Sequence, residues 1–286
     1  DWTGISAFMK FSIPVVMRFH GSDAYFCNLE NRKQKWKNYL FEKLAVIAAD
    51  AYIAPTCFAG ELSKEIFRIK NKEIRTIHYG LQLNDFNNPE PENFKKFQIL
   101  YIGTLIRKKG VLELPFILQK IIPKFPEARL IMIGSDAPDI ETGESSTWEL
   151  LKKQFGSAIR NVNYLGKIPY HLVKENIKQS HVCIFPSYAE TLGMVTIESM
   201  ALKKAVVNTN IGWAKEIIDN DVNGLMAHPT DHQSFADHIM HIFSDDVLRK
   251  KIQSNARLKV ESHFDIEKKT LENIEFYEEI INGKYR

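Results

Sequence analysis

Two glutamates, Glu190 and Glu198, stand as E-x7-E within PSYAETLGMVTIESMA, directly after an apolar run that ends at Pro186. The pattern predicts a loop over Ser187–Glu190 and a helix opening near Leu192 and Gly193. A helix start leaves backbone N–H groups without partners and carries the positive end of the macrodipole. It therefore suits a phosphate or diphosphate. Gly193 lets the backbone approach such a ligand closely. An ionised carboxylate accepts hydroxyl hydrogen bonds, so two glutamates beside a phosphate site fit a nucleotide sugar. Spacing alone leaves a second reading open, with Glu190 as a cap and Glu198 as a solvated surface group. His20 ends the run IPVVMRFH before Gly21, at a strand mouth of the kind where α/β proteins bind ligands. A lone histidine there is also compatible with simple packing.

Other chemistries lack their motifs. No G-x-G-x-x-G follows a strand, no G-x-x-x-x-G-K-[ST] is present, and neither H-E-x-x-H nor a clustered His/Cys set appears. His228, His232, His238 and His241 fall on a polar loop and helix and read as surface or packing residues. Cys27, Cys57 and Cys183 are scattered without C-x-x-C spacing, which fits a reducing compartment and no zinc site.

Positioning these residues calls for alternating strands and helices. The runs 13–19, 51–55, 74–78, 98–103, 128–134, 162–166, 181–186 and 204–209 are short and apolar, and read as buried parallel strands. Helix-period stretches lie between most of them, at 34–48, 57–69, 111–122, 147–155, 171–179 and 193–202. From 232 onward the pattern is helical, ending in a charged helix at about 264–282. The order predicts a doubly wound α/β fold. NNPEPENFKK (87–96) has two prolines and no apolar periodicity, and reads as a linker between two Rossmann-like units. Only three strands precede it.

The chain has 286 residues, 44% of them hydrophobic, ample for packed cores. No apolar run reaches the length of a membrane span. The formal net charge of +3 is too small to point to nucleic acid. Residues 1–96 hold 14 Lys/Arg against 11 Asp/Glu, and 97–286 hold 24 of each, so the excess lies in the first third. It includes the run Arg32–Lys37 around Trp36, which suits either an anionic membrane surface or a solvated helix face.

The E-x7-E segment resembles the donor-site signature of retaining glycosyltransferases of family 4, which have the GT-B fold. The resemblance extends through YIGTLIRKKGVLEL (101–114), RLIMIGSD (129–136), VNYLGKIPY (162–170) and GWAKEIIDNDVNGLMAHPTD (212–231). It also includes FHGSD (19–23) and IHYGLQLNDF (77–86). It implies two Rossmann-like domains facing a cleft: the end of an acceptor-side domain over 1–94, a donor domain over 95–263, and a C-terminal helix over 264–286 returning to the first. It further implies that the first strands of the acceptor domain are missing and that Asp1 is a truncated start.

The family's site residues then map onto this sequence. Glu198 is expected to hold the ribose hydroxyls and Glu190 to touch the transferred sugar. The amides of Leu192, Gly193 and Met194 are expected to meet sugar hydroxyls, and those near Val195 and Thr196 the distal phosphate. Lys109 matches the diphosphate lysine and Gly103 the glycine that lets the backbone sit close to the phosphates. Thr104 stands where the family usually has Arg, so Arg107 or Lys108 supplies a second cation, or the site runs with one fewer charge. His20 matches the active-site histidine, and Lys167, Ile168 and their neighbours up to Tyr170 lie where the backbone cradles the nucleobase.

The resemblance implies a metal-independent, retaining hexosyltransferase with a UDP- or GDP-sugar donor and no further cofactor. The acceptor would be a saccharide or lipid-linked hydroxyl in cell-surface polysaccharide synthesis. The expected location is cytoplasmic, with peripheral contact to the inner membrane face. A nucleotide-sugar-binding module without catalysis is the alternative, and a nucleotide-sugar epimerase is a more distant one.

Overall fold

The computed structural model describes residues 12–70 and 72–283. The expectation attached to Asp1 lies outside the described residues. By packing, the chain divides into two units. One comprises Asp1–Leu81, Ala189–Leu192 and His263–Arg286; the other comprises Gln82–Tyr188 and Gly193–Ser262.

The first unit carries β1 (Val16–Arg18), α1 (Asp23–Leu29), α2 (Trp36–Ala48), β2 (Ala51–Ala54), α3 (Cys57–Phe67) and β3 (Ile74–Thr76). The strands pair in parallel in the order β1-β2-β3, with Val16 opposite Ala51 and Tyr52 opposite Ile74. All four residues of β2 are buried. Successive side chains of a strand face opposite ways. Tyr52 and Ala54 accordingly pack with Phe19, Val46 and Phe67. Ala51 and Ile53 pack with Ile77 and with Phe276 and Ile280 of the C-terminal helix. Helix α1 was not expected from periodicity. Its start is fixed by Ser22, whose hydroxyl accepts the Tyr25 N–H at 3.0 Å, and by the buried Glu42 carboxylate, which accepts the amides of Asp23 and Ala24.

The second unit runs through β4 (Gln98–Ile102), α4 (Leu114–Ile121), β5 (Arg129–Ile133), α5 (Thr147–Phe155), β6 (Val162–Tyr164), α6 (Tyr170–Gln179) and β7 (Val182–Phe185). It continues with α7 (Met194–Ala201), β8 (Ala205–Thr209), α8 (Ala214–Ile217), β9 (Leu225–Ala227), α9 (His232–Ser244) and α10 (Asp246–His263); α11 is Ile266–Ile281. Its six strands are parallel, in the order β6-β5-β4-β7-β8-β9. This is the doubly wound order that reverses between its first and fourth strands, here β4 and β7. Ligands of such sheets bind beyond the strand C-termini at that reversal.

The segment 87–96 is a strap bound to the second unit. Asn88 donates to the Leu202 carbonyl at 2.8 Å, and Lys204 Nζ to the Pro91 carbonyl at 3.0 Å. The Phe94 ring lies 5.2 Å from the Lys204 ammonium, 4.7 Å from the Arg249 guanidinium and 4.5 Å from the His181 ring. Arg249, almost fully buried, pairs with Glu92 at 2.9 Å. These side-chain insertions carry no sequence period, so the strap reads as a linker until the fold is known.

Candidate functional site

The loops after β4 and β7 flank the reversal; Gly110 brings these two together, and Gly103 and Gly134 join the loop after β4 to the loop after β5. The Gly103 amide donates to the Ile133 carbonyl at 2.9 Å. Gly134, with φ +150, lies so close that a Cβ there would be 1.9 Å from the Gly103 carbonyl oxygen. A tight turn over Arg107–Lys109 ends at Gly110, which is left-handed (φ +67). A Cβ on Gly110 would be 1.8 Å from the Pro186 carbonyl oxygen. The Tyr188 amide donates to the Lys108 carbonyl at 2.8 Å, closing the second link between the loops. Glu113 adds a third: it accepts from Tyr188 Oη at 2.8 Å and pairs with His232 Nε2 at 2.6 Å. Burial and this carboxylate push the Tyr188 phenol up, keeping it a donor. His232 stacks on Phe116. The partners of His232 are distant in the chain, so its place in the sequence gives it no role.

Gly193 caps α7 in the left-handed region, with φ 87 and no side-chain cap bond. The Thr196 amide returns to the Gly193 carbonyl at 3.0 Å, and its hydroxyl accepts from Asn208 at 3.0 Å. That amide, expected near the distal phosphate, is therefore engaged in the turn. The amides of Met194 and Val195 belong to the first turn, which has no preceding helical carbonyls to meet. Glu198 projects from the same helix, half-buried, with Oε1 accepting from Tyr170 Oη at 2.8 Å. Burial raises its pKa, opposed by the Tyr170 hydroxyl and the Lys174 charge.

Of the expected cations, Lys109 lies half-buried in the glycine-bounded turn. Arg107 is committed elsewhere. It forms a two-pronged pair with Asp139, at 2.6 and 2.8 Å, and reaches Glu141 at 2.8 Å. Hydrogen bonding from Arg107 holds the Asp139 carboxyl well below the usual carboxylate range, with Thr142 adding to it. This pairing occupies Arg107; Lys108 and Lys109 are both half-buried, and Thr104 is exposed. Lys167 is exposed and Ile168 half-buried, after Gly166, whose carbonyl accepts the Gly134 amide at 2.9 Å. Asp219-Asn220-Asp221 has D-x-D spacing, but its carboxylates build a turn. Asp219 accepts from Asn223 and pairs with Lys259, and Asp221 accepts from Asn220. Among the described residues, no group of three or more His, Cys, Asp or Glu side chains is placed to hold a metal ion.

The first unit holds His20 together with Glu190 and Leu192. His20 Nδ1 lies 2.6 Å from Tyr79 Oη, and the two rings stack at 5.5 Å. Partial burial and the Arg18 charge lower the His20 pKa. Thr191 packs beside Gly21, where an added Cβ would lie 2.8 Å from the threonine methyl. The loop is held by its backbone: Tyr25 Oη donates to the Glu190 carbonyl at 2.7 Å, and Thr56 Oγ1 to the Thr191 carbonyl at 2.9 Å. His20 thus has Glu190 in its own unit, with Gly21 and Thr191 between them.

Residues 84–259, more than half of the chain, match the family model described as Glycosyl transferases group 1. The chain belongs to this family. The capsular polysaccharide biosynthesis glycosyltransferase CapM of Staphylococcus aureus is 28% identical over 241 residues, 79% of this chain and 60% of that protein. This group 1 chain therefore spans about three fifths of that relative's length. Among solved structures, sucrose-phosphate synthase from Thermosynechococcus elongatus superposes with a TM-score of 0.82 at 22% identity, covering 98% of this chain and 71% of that one. Anabaena HepE in complex with UDP and glucose gives 0.73 at 22% identity, covering 92% and 71%. The parallel α/β architecture is that of the GT-B glycosyltransferases.

Proposed function

We propose that this group 1 chain carries the donor site and part of the acceptor side of a retaining glycosyltransferase. It moves a sugar from a nucleoside-diphosphate sugar to a hydroxyl acceptor. One observation supports this above the rest: at the β4/β7 reversal, Gly110 lets the turn that carries Lys109 close on the Pro186 carbonyl after β7, and α7, which carries Glu198, opens on the left-handed Gly193 in the same β7–β8 connection. That set suits a diphosphate next to a ribose. The transition state separates an oxocarbenium-like sugar from a diphosphate. First-turn amides and the Lys109 ammonium stabilise the departing charge, and fixed donors of this kind supply the largest catalytic term in most enzymes. Among the described residues no carboxylate stands as a clear nucleophile, so return of the acceptor on the face the diphosphate leaves is the favoured route to retention. This route needs no metal. Glu190 and His20 serve the transferred sugar.

CapM supports a polysaccharide hydroxyl as acceptor class, and the UDP bound to HepE supports a uridine nucleotide as one donor. The exposed Trp36, with Lys33, Lys35 and Lys37 around it, suits peripheral contact with an anionic cytoplasmic leaflet. No helix among the described residues is long and apolar enough to cross a membrane. Binding to phosphatidylglycerol vesicles that persists in high salt, or equals binding to neutral vesicles, would remove that contact. The activity is tested by incubating the chain with UDP-, GDP- and ADP-sugars, with and without saccharide acceptors. Acceptor-dependent nucleotide release with an α-configured product from an α-configured donor is expected. Binding without release leaves the binding-module reading, and an altered donor sugar without acceptor use favours an epimerase.

A further inference from the structure

Tyr170 opens α6 as its first residue, and 53% of its surface is exposed. An exposed tyrosine is ordinarily free to rotate, at an entropic advantage. This one is held from two directions. Its hydroxyl donates to Glu198 Oε1 at 2.8 Å, and the Lys174 ammonium, four residues along α6, lies 5.4 Å from its ring centroid. Lys174 is anchored in turn by the Asp85 carbonyl at 3.2 Å and by the Phe86 ring at 5.2 Å. Burial, with the carboxylate adding to it, raises the pKa of the phenol, so the hydroxyl stays a donor.

Glu198 belongs to α7, a different helix, and Oε2 accepts from no described residue. A carboxylate has about four acceptor positions, so one phenol leaves room for both hydroxyls of a ribose. Glutamate has three rotatable side-chain bonds, and a half-buried one without a partner would sample several rotamers. The Tyr170 hydroxyl removes that freedom by fixing one oxygen and presenting the other.

We infer that Tyr170 is a positioning residue for ribose recognition: its hydroxyl orients the Glu198 carboxylate toward the ribose diol and so sets the preference for ribonucleotides over 2′-deoxyribonucleotides. The inference rests on the nucleotide-donor reading above and adds a side chain to a region where only backbone contacts were expected.

The test is calorimetry on the full chain. UDP, GDP and ADP are titrated first, and the nucleotide that binds is compared with its 2′-deoxy counterpart. Wild type, Tyr170→Phe and Glu198→Gln are measured in parallel. The wild type should favour the ribonucleotide by about 10-fold, the scale of one hydrogen bond to a charged group. Tyr170→Phe keeps the ring and its Lys174 contact. It should lose most of that preference by weakening ribonucleotide binding, with 2′-deoxynucleotide binding changed less than about 2-fold. Glu198→Gln should also lose the preference. Equal weakening of both nucleotides in Tyr170→Phe, or an intact preference, overturns the inference and leaves the donor reading standing. A wild type that binds nucleotide without ribose preference also overturns the inference alone. No binding of any nucleotide by the wild type overturns both.

Discussion

At the scale of single residues, the two basic groups Arg107 and Lys109 share one turn. Arg107 pairs with Asp139 and Glu141, and Lys109 ends the turn directly before the left-handed Gly110. Lys109→Ala should cut turnover by about 10²-fold, the scale of losing one charge stabiliser. Arg107→Ala should act first on stability, because it strips the partner from the buried Asp139. Steady-state kinetics beside thermal melts separates the two: a Lys109→Ala variant with unchanged turnover would remove the lysine from the proposed diphosphate site. The sequence shows both cations at family-like positions but does not show that Arg107 is paired. The pairing depends on Asp139, which reaches the turn only through the β5 loop.

At the scale of elements, the site depends on loops that glycines allow to touch. Gly110 combines a left-handed backbone with a carbonyl directly over its Cα, so no side chain fits there without moving Pro186. Gly110→Ala should destabilise by about 1–3 kcal/mol and weaken nucleotide binding more than a surface Gly→Ala elsewhere. Gly143, left-handed but with open space around it, is the control. Comparable nucleotide affinities for the two variants would show that the Gly110 contact does not shape the site. Element identity was largely legible: the eight apolar runs became β1 to β8, each trimmed at one or both ends. Three features were not legible. Helix α1 is short and set by Ser22 and Glu42 rather than by an apolar period. The 87–96 strap is held by side-chain hydrogen bonds, cation–ring contacts and the ion pairs of Glu92 with Arg249 and Lys250. The Glu113–Tyr188–His232 link joins three segments far apart in sequence. Each is a long-range contact, and periodicity carries only local information.

At the scale of the whole molecule, each unit has its own core and its own point of sensitivity. In the second, His181 is buried among Phe94, Phe97 and Phe243, with Nδ1 accepting the Phe97 amide and Nε2 unsatisfied. Burial, with nearby Arg249 adding to it, pushes its pKa down to about 4. The unfolded chain therefore binds this proton from about pH 6.5 downward and the folded one only near 4, so stability falls as pH drops through that window. The loss should approach about 3 kcal/mol, and His181→Gln should flatten the slope of stability between those pH values. An equal slope in the variant would assign the acid sensitivity to other groups. In the first unit, one face of the three-stranded sheet is covered by α11, the last described helix in the chain. Phe276 is fully buried there against Ala51, Ile53 and Ile77, the Arg75 guanidinium lies 5.0 Å from its ring, and Arg75 pairs with Glu279 at 2.9 Å. Phe276 is the larger of the two α11 side chains buried in that contact, with Ile280 beside it, so the cover should loosen when it is removed. Phe276→Ala should cost about 3–5 kcal/mol and expose the β2 amides, whereas Leu271→Ala, on the exposed side of the same helix, should cost little. Hydrogen exchange resolves the outcome: β2 should lose protection in Phe276→Ala while β4 and β7 keep theirs. Unchanged exchange in β2 would mean that the sheet of the first unit holds without its C-terminal cover.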